Sequence, residues 1–543
     1  MCSAVTRAAE RAPAETATPK RPFEYVVWFA GFVVLFAWTY FFGLHLGWSS
    51  ADYLRGLLQG SDMAHGNILL NHWYSGDDSY WAIDSVLFAF GVLAVGTKVI
   101  LAHVVAAFVW TSLIVIACAV ATTGLRRWSS VASIVTIVVI LGLPCVLLAR
   151  FLSASDVHVA TTLVALLAFL GLREGRLGWG WFAAVVLLAA GLLSDPLIIA
   201  YALAPAFVVG VLDSVRSRKW QNGLSTASAP VASLALAVLT RKVAEQFGTY
   251  RISFGTQLVS PSGRLHNVHI LFPSVLSLLG FGSTFSANRI PWELGVFRSF
   301  GVLALGAGFI VGLACLLLGV LSGQPRTNVQ GMTTRSRSSY RLNDLLVLGV
   351  LGSAVPFVAL SYDATDLRYL TTGIVFSSIL GAMLIGHLVK LVKDLRFRYV
   401  GRAVAIIILS ANAACAGIYL SRPAPVSPFP RLSAFLVSHN LVRGLGDYWT
   451  SAPVTLYSNE KVTVRQVLPT FGGGIAPYLN GAKDTWYVGR FQFLVYDVRQ
   501  FEGQLIRYAP RFPFAAVAHS YREGTFRIIV WRQPQNMAAL SKN

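Results

Sequence analysis

Five of the chain's 24 acidic residues, Asp52, Asp62, Asp77, Asp78 and Asp84, fall within residues 50–84. That segment follows an apolar run at residues 24–47, so the carboxylates gather where the chain leaves a membrane segment. Solubility does not call for such a concentration, whereas proton transfer at a membrane face does. Asp52, in Ser50-Ala51-Asp52-Tyr53, lies a few residues beyond the run. A carboxylate at that depth is partly desolvated, which makes it a better proton acceptor. The same residue could simply cap a helix predicted over residues 53–60. Asp62 and His65 stand at helical spacing and could share a ligand, or Asp62 could cap. Asp77, Asp78 and Asp84 read as turn and capping residues.

A second acid, Asp156 in Ala154-Ser155-Asp156-Val157-His158, precedes another apolar run on the same side. Capping is the plainer account of it, but two acid-bearing loops share one face. Cations supply a third group: Arg241, Lys242, Arg251, Arg264, Arg289 and Arg298 in residues 241–298, and Arg368-Tyr369 at the entrance to a later run. Outer-face positive charge opposes the usual topological bias and calls for a partner. Phosphate suits it, because guanidinium grips phosphate with two parallel hydrogen bonds. Lipid headgroups, Glu245 and Glu293 are the bland partners. Aromatic residues form a fourth group: Trp73, Tyr74, Tyr80 and Trp81, then Tyr448, Trp449, Trp486 and Tyr487. They suit an interfacial belt or a surface on which sugars stack. Gly472-Gly473-Gly474 lacks the Lys-Ser/Thr of a phosphate-cradling loop. GxSxG, HExxH and DxD are absent from the sequence.

The elements that must hold these groups are membrane spans. The chain is 55% hydrophobic and only 13% charged, with a mean hydropathy of +0.61. A soluble domain carries about 25% charged residues. Apolar runs of about 20 residues, enough to cross a bilayer, recur as far as Ser421. The net charge of +20 does not indicate nucleic acid. Many of the Lys and Arg sit in short loops between apolar runs, where they set topology. Cys118, Cys145, Cys315 and Cys415 lie within apolar runs and Cys2 near the start, a pattern that suggests neither a metal site nor a disulfide.

Residues 1–23 predict a disordered cytoplasmic tail, with Arg7, Arg11, Lys20 and Arg21 marking the side. Eleven spans are expected: near 24–45, 98–122 and 129–149, a fourth returning to Arg173 and Arg176, then near 179–193, 197–212, 226–240, 299–321 and 344–360, a tenth returning to Lys390 and Lys393, and the last near 403–420. Loops 46–97 and 241–298 then face outward. Every basic loop falls on one side and every acid-bearing loop on the other, which places the C-terminus outside. The Pro-rich stretch SRPAPVSPFP leads into residues 422–543, a predicted extracytoplasmic α/β domain. Its helices are expected at 432–442 and 501–508, and its strands at 454–457, 462–467, 486–488, 493–497, 515–519 and 526–531. No internal repeat stands out.

An acid after span one, a second before span four, a short hairpin of spans five and six, and an extracytoplasmic C-terminal domain together resemble the GT-C superfamily. These are membrane glycosyltransferases using polyprenyl-phosphate sugars, such as protein O-mannosyltransferases and aminoarabinose transferases. The resemblance covers roughly residues 24–421. Ala51-Asp52-Tyr53 matches the family's catalytic Asp, Ser155-Asp156 its second acid, and Arg368-Tyr369 the basic residue facing the donor phosphate. Tyr53 stands where the family commonly has Glu, so Asp52 and Asp62 with His65 both stay candidates.

The resemblance implies an all-α, GT-C-like polytopic protein of a bacterial inner membrane. It would move a sugar from a polyprenyl-phosphate donor, with inversion, to a glycan, lipid or protein acceptor. Asp52 and Asp156 would be catalytic, and Arg368, Tyr369, Arg241, Lys242 and Arg289 would hold the donor phosphate. No cofactor is demanded, although two acids beside a phosphate could hold a divalent metal. The rival reading is a transporter or flippase, which calls for ionisable residues in mid-span and repeated halves.

Overall fold

The computed structural model describes residues 22–47, 51–76, 78–123, 125, 127–154, 158–217, 220–249, 251–252, 257–281, 292–321, 334–361, 364–391, 395–470, 474–504 and 517–541. The expectations for residues 1–21 and for Asp77, Asp156 and Arg289 lie outside them.

Helices dominate through Leu420, and a sheet follows. Eight described helices are long and apolar enough to cross a membrane: Trp28–His45, Ile100–Ala121, Ile199–Ser217, Gly223–Gln246, Ser299–Leu318, Tyr340–Leu360, Asp366–Leu391 and Tyr399–Leu420. Many outward side chains are apolar, including Phe29, Val34, Leu303, Ile310 and Ile406. Such faces belong in lipid. The chain is thus a multi-pass helical membrane protein.

The count of eleven does not carry over directly. Span three is two helices, Ser129–Gly142 and Val146–Leu152, meeting at 90°. Pro144 lies in the break, and proline cannot continue the hydrogen-bond ladder. Helices Val159–Leu172 and Trp179–Ser194 have 14 and 16 residues. At about 1.5 Å per residue they fall short of a hydrocarbon core of about 30 Å. Residues 241–298, read as a loop, contain the helix Pro261–Leu278.

Several of the helices pack closely. A Cβ on Gly223 would lie 1.8 Å from the Gly210 carbonyl oxygen, so the hairpin Ala204–Ser217/Gln221–Gln246 depends on glycine there. Arg216 Nη1 donates to Asp344 at 2.6 Å, and Arg341 Nε to Asp213 at 2.6 Å. Arg216 and Asp213 lie in the last five residues of the span Ile199–Ser217, and Arg341 and Asp344 in the first five of the span Tyr340–Leu360.

The C-terminal region is built on a six-stranded sheet. Its strands are β3 (Arg443–Gly446), β4 (Thr463–Pro469), β5 (Ile475–Pro477), β7 (Arg490–Asp497), β8 (Val517–Glu523) and β9 (Phe526–Asn536), ordered β5-β4-β3-β7-β9-β8. β3 runs parallel to β4 and β7, and the remaining pairs are antiparallel. A second sheet, β2-β1-β6, ties the acidic loop to this region: β1 is Trp73–Ser75, β2 Arg251–Ile252 and β6 Ala482–Lys483. Residues 454–457, expected as a strand, complete the helix Tyr448–Tyr457. Asp447 caps that helix, accepting from the Thr450 amide at 2.9 Å. Local capping there outweighs the β-branched run. Residues 486–488, also expected as a strand, belong mostly to the single turn Asp484–Tyr487.

Candidate functional site

Asp52 lies in the first turn of helix Ala51–Ala64, half-buried. Its Oδ1 accepts a hydrogen bond from the Tyr448 hydroxyl, which opens helix Tyr448–Tyr457. The Tyr448 ring meets Trp449 and Tyr478 edge-on at 5.0 and 5.4 Å. One turn on from Asp52, buried Arg55 donates to Asn480 Oδ1 at 3.1 Å, and its guanidinium lies 5.7 Å from the Tyr80 ring centre. Gly481, with φ +68°, leaves room for the Arg55 side chain: a Cβ there would come within 1.8 Å of it. Any other residue would displace Arg55.

Tyr80 leads from Arg55 to the next group. Its hydroxyl donates to Asp78 Oδ2 at 3.2 Å, and both residues interact electrostatically with Arg368. The loop is pinned to the short hairpin: Ser79 Oγ donates to the Leu193 carbonyl at 2.6 Å, and the Tyr80 amide to the Ser194 carbonyl at 3.0 Å. Arg368 lies in the turn Ala364–Leu370, 5.3 Å from the Tyr369 ring and 3.9 Å from the Asp366 carboxylate. Its buried Nε finds no hydrogen-bond acceptor among the described residues. A guanidinium with an unused N–H suits an anion that is not part of the chain.

Beyond Tyr369 lies His158, ring centres 5.5 Å apart. His158 Nδ1 sits 2.7 Å from Asp195 Oδ2, which also accepts from Thr161 at 3.0 Å and Tyr201 at 3.1 Å. All four are buried. Tyr80 and His158 both hold left-handed backbone, φ 53° and 54°. That conformation costs a non-glycine residue roughly 1 kcal/mol, and such strain concentrates at functional sites.

The remaining sequence candidates are placed differently. Asp62 accepts from Lys483 Nζ at 2.6 Å, Trp73 Nε1 at 2.8 Å and Asn67 Nδ2, so both oxygens are engaged in holding the loop to β6. His65 is exposed and turns Nδ1 to the Ser61 carbonyl at 2.7 Å, away from any shared ligand with Asp62. Arg241 and Lys242 pair with Glu245 at 2.8 and 3.1 Å on an exposed face. Arg251 pairs with Asp484 at 3.1 Å. Among the described residues no three of His, Cys, Asp or Glu gather as metal ligands.

No protein-family model and no curated protein matches the sequence. Among solved structures, the chain is similar to the oligosaccharyltransferase of Archaeoglobus fulgidus, crystallised with a tethered acceptor peptide containing the NVT sequon. Identity is 10% and TM-score 0.44, over 94% of this chain and 77% of that one. It is also similar to apo ArnT from Cupriavidus metallidurans, with 12% identity and TM-score 0.42, over 96% and 100%.

Sequence reasoning missed three participants: Tyr448 blended into the interfacial aromatics, Arg55 into the polar face of its helix, and Asp195, a lone charge between two short apolar runs, was the one signal that could have been used.

Proposed function

We propose that the chain is an inverting glycosyltransferase that takes a sugar from a polyprenyl-phosphate donor at the outer face of a bacterial inner membrane. The acceptor hydroxyl gives its proton to Asp52 as its oxygen attacks the anomeric carbon from the face opposite the phosphate. The bond from that carbon to the phosphate oxygen breaks, and polyprenyl phosphate leaves with both bonding electrons. Arg368 meets the charge that develops on it, with Tyr369 beside the guanidinium. Asp156, the second acid of the resemblance, keeps its place in this reading; Arg241 and Lys242 recede because both turn to Glu245 on an exposed face.

The observation that carries the reading is the arrangement of Asp52 and Arg368 about the Arg55–Tyr80–Asp78 bridge. Asp52, one turn before Arg55, accepts from the Tyr448 hydroxyl, and Arg368 has an N–H without an acceptor among the described residues. A proton acceptor contributes about 10²–10⁴-fold, and fixed cations at a developing charge contribute comparably or more. The ion pairs near the ends of the apolar spans, Arg216–Asp344 and Arg341–Asp213, do not supply the mid-span charges that a transporter uses.

The test is to incubate the purified protein with a panel of radiolabelled polyprenyl-phosphate sugars and membrane extract. The reading expects label to leave one donor and free polyprenyl phosphate to accumulate. If every donor stays intact, the reading fails.

A further inference from the structure

Alternation along β4 puts Thr463, Arg465 and Val467 on one face of the sheet. The parallel register with β3 sets Arg443 beside Thr463 and Leu445 beside Arg465 on that same face. Leu445 and Val467 belong to an apolar cluster that also holds Tyr487 and Phe491, with Trp486 packed against it. A cation among such neighbours is costly unless something pairs with it. Arg465 is half-buried, its guanidinium 4.0 Å from the Trp486 ring centre. Arg443 reaches the backbone of the same tryptophan: its Nη2 donates to the Trp486 carbonyl at 3.4 Å and to the Val488 carbonyl. Burial, with the like charge of Arg443 adding to it, pulls the Arg465 pKa down to about 10. Among the described residues no carboxylate pairs with either guanidinium: Asp484 goes to Arg251 and His72, and Asp62 to Lys483. The exposed Glu460 attracts Arg465 less than Arg443 repels it.

We propose that Arg465 and Arg443 form a binding site for a phosphomonoester. Stacking on Trp486 uses the face of the Arg465 guanidinium and leaves its in-plane N–H groups for a ligand. Arg465 donates no hydrogen bond among the described residues, and Arg443 spends only Nη2 on carbonyls. Two neighbouring positive charges select a ligand with more than one negative charge. A phosphomonoester carries about −1.5 to −2 at pH 7 and three acceptor oxygens, which guanidinium forks grip in pairs. A carboxylate brings one charge and two oxygens, so one arginine would stay uncompensated. A soluble phosphate and a lipid with a monophosphate headgroup offer the same chemistry. The site shares none of the neighbours of Arg368, which are Asp366, Tyr369, Tyr80 and Asp78, and it stands whether or not the chain transfers sugar.

The test uses the full chain carrying Arg368→Ala, so that the phosphate site of the proposed reaction is silent, in phosphatidylcholine nanodiscs. Titration calorimetry with inorganic phosphate should show binding. Arg465→Met should weaken it at least tenfold, and Arg465→Lys, which keeps the charge and loses the fork, about threefold. Nanodiscs containing phosphatidic acid separate the two sources. Loss of inorganic phosphate binding there assigns the site to a lipid headgroup, and unchanged binding to a soluble phosphate. Stability gives a second readout. Without phosphate, Arg465→Met should melt at or above the parent, because it removes an unpaired, partly desolvated cation; an arginine kept for packing would lower the melting temperature when lost. The proposal is overturned if the parent binds no phosphate in phosphatidylcholine discs, if Arg465→Met binds it as tightly as the parent, or if Arg465→Met is less stable than the parent or fails to fold.

Discussion

The Tyr448 hydroxyl donates to the Asp52 carboxylate across 396 residues of sequence. That bond joins the first helix after the membrane to the C-terminal region, so Asp52 is presented by two parts of the chain at once. Tyr448→Phe removes the donor and keeps the ring. A hydrogen bond to a charged group is worth about 1.5–3 kcal/mol, so turnover should fall roughly tenfold or more. Steady-state kinetics check this, with circular dichroism showing an unchanged fold.

Arg368 is expected to act on the donor alone. Arg368→Lys keeps the charge but loses the planar fork, and should raise the donor KM about tenfold with modest change in kcat. Arg368→Ala should lower kcat as well. A lysine variant with wild-type donor kinetics would remove Arg368 from phosphate binding.

Asp62 should behave as a clasp. Asp62→Asn weakens its bond to Lys483 and should lower thermal stability by about 1–2 kcal/mol while leaving kcat within a few-fold. Loss of turnover in a folded Asp62→Asn variant would return it to the chemistry.

Asp447 gives the C-terminal region a pH signature. Burial lifts its carboxyl from the usual value to about 6, despite hydrogen bonds from Thr450 and the Asp497 amide. A raised carboxylate pKa favours the protonated folded form, so its stabilisation is complete below about pH 4 and is lost as pH rises to about 6. The change is about 3 kcal/mol at most. Asp497 works oppositely: Arg499 holds it below the usual range against the pull of burial, so its contribution is lost only at lower pH. Unfolding followed between pH 4 and 7 should show the slope, and Asp447→Asn should flatten it.

Much of the membrane part was legible because hydropathy acts locally. Eight of the expected apolar runs coincide with helices long enough to cross a membrane, and Arg368-Tyr369 lies at the entrance to one of them. The bend at Pro144 was visible as a residue but not as an angle, since packing decides whether proline kinks or ends a helix. Residues 454–457 read as a strand because Val, Thr and Tyr favour sheets, while the cap that starts their helix lies seven residues earlier at Asp447. β3, with two glycines in four residues, carried almost no strand signal. The site was half legible for the same reason. Asp52 could be picked from its position after the first run, but its partner Tyr448 and the His158–Asp195 pair arise only when distant segments meet.

Topology is testable without any substrate. Reporter fusions after Arg127, Arg218 and Arg337 should report cytoplasm, and fusions after Ser61, Gly263 and Asn480 the outside. A cytoplasmic C-terminal region would carry Asp52 to the wrong face with it.

The central claim is that Asp52 accepts the acceptor's proton, and Asp52→Asn tests it most directly. Asparagine keeps the shape and caps a helix about as well as aspartate, but it is far too weak a base to accept the proton. With the labelled donor that the wild type consumes, transfer should fall about 10²–10⁴-fold while donor binding and thermal stability stay unchanged. An Asp52→Asn protein that transfers sugar at the wild-type rate would contradict the account.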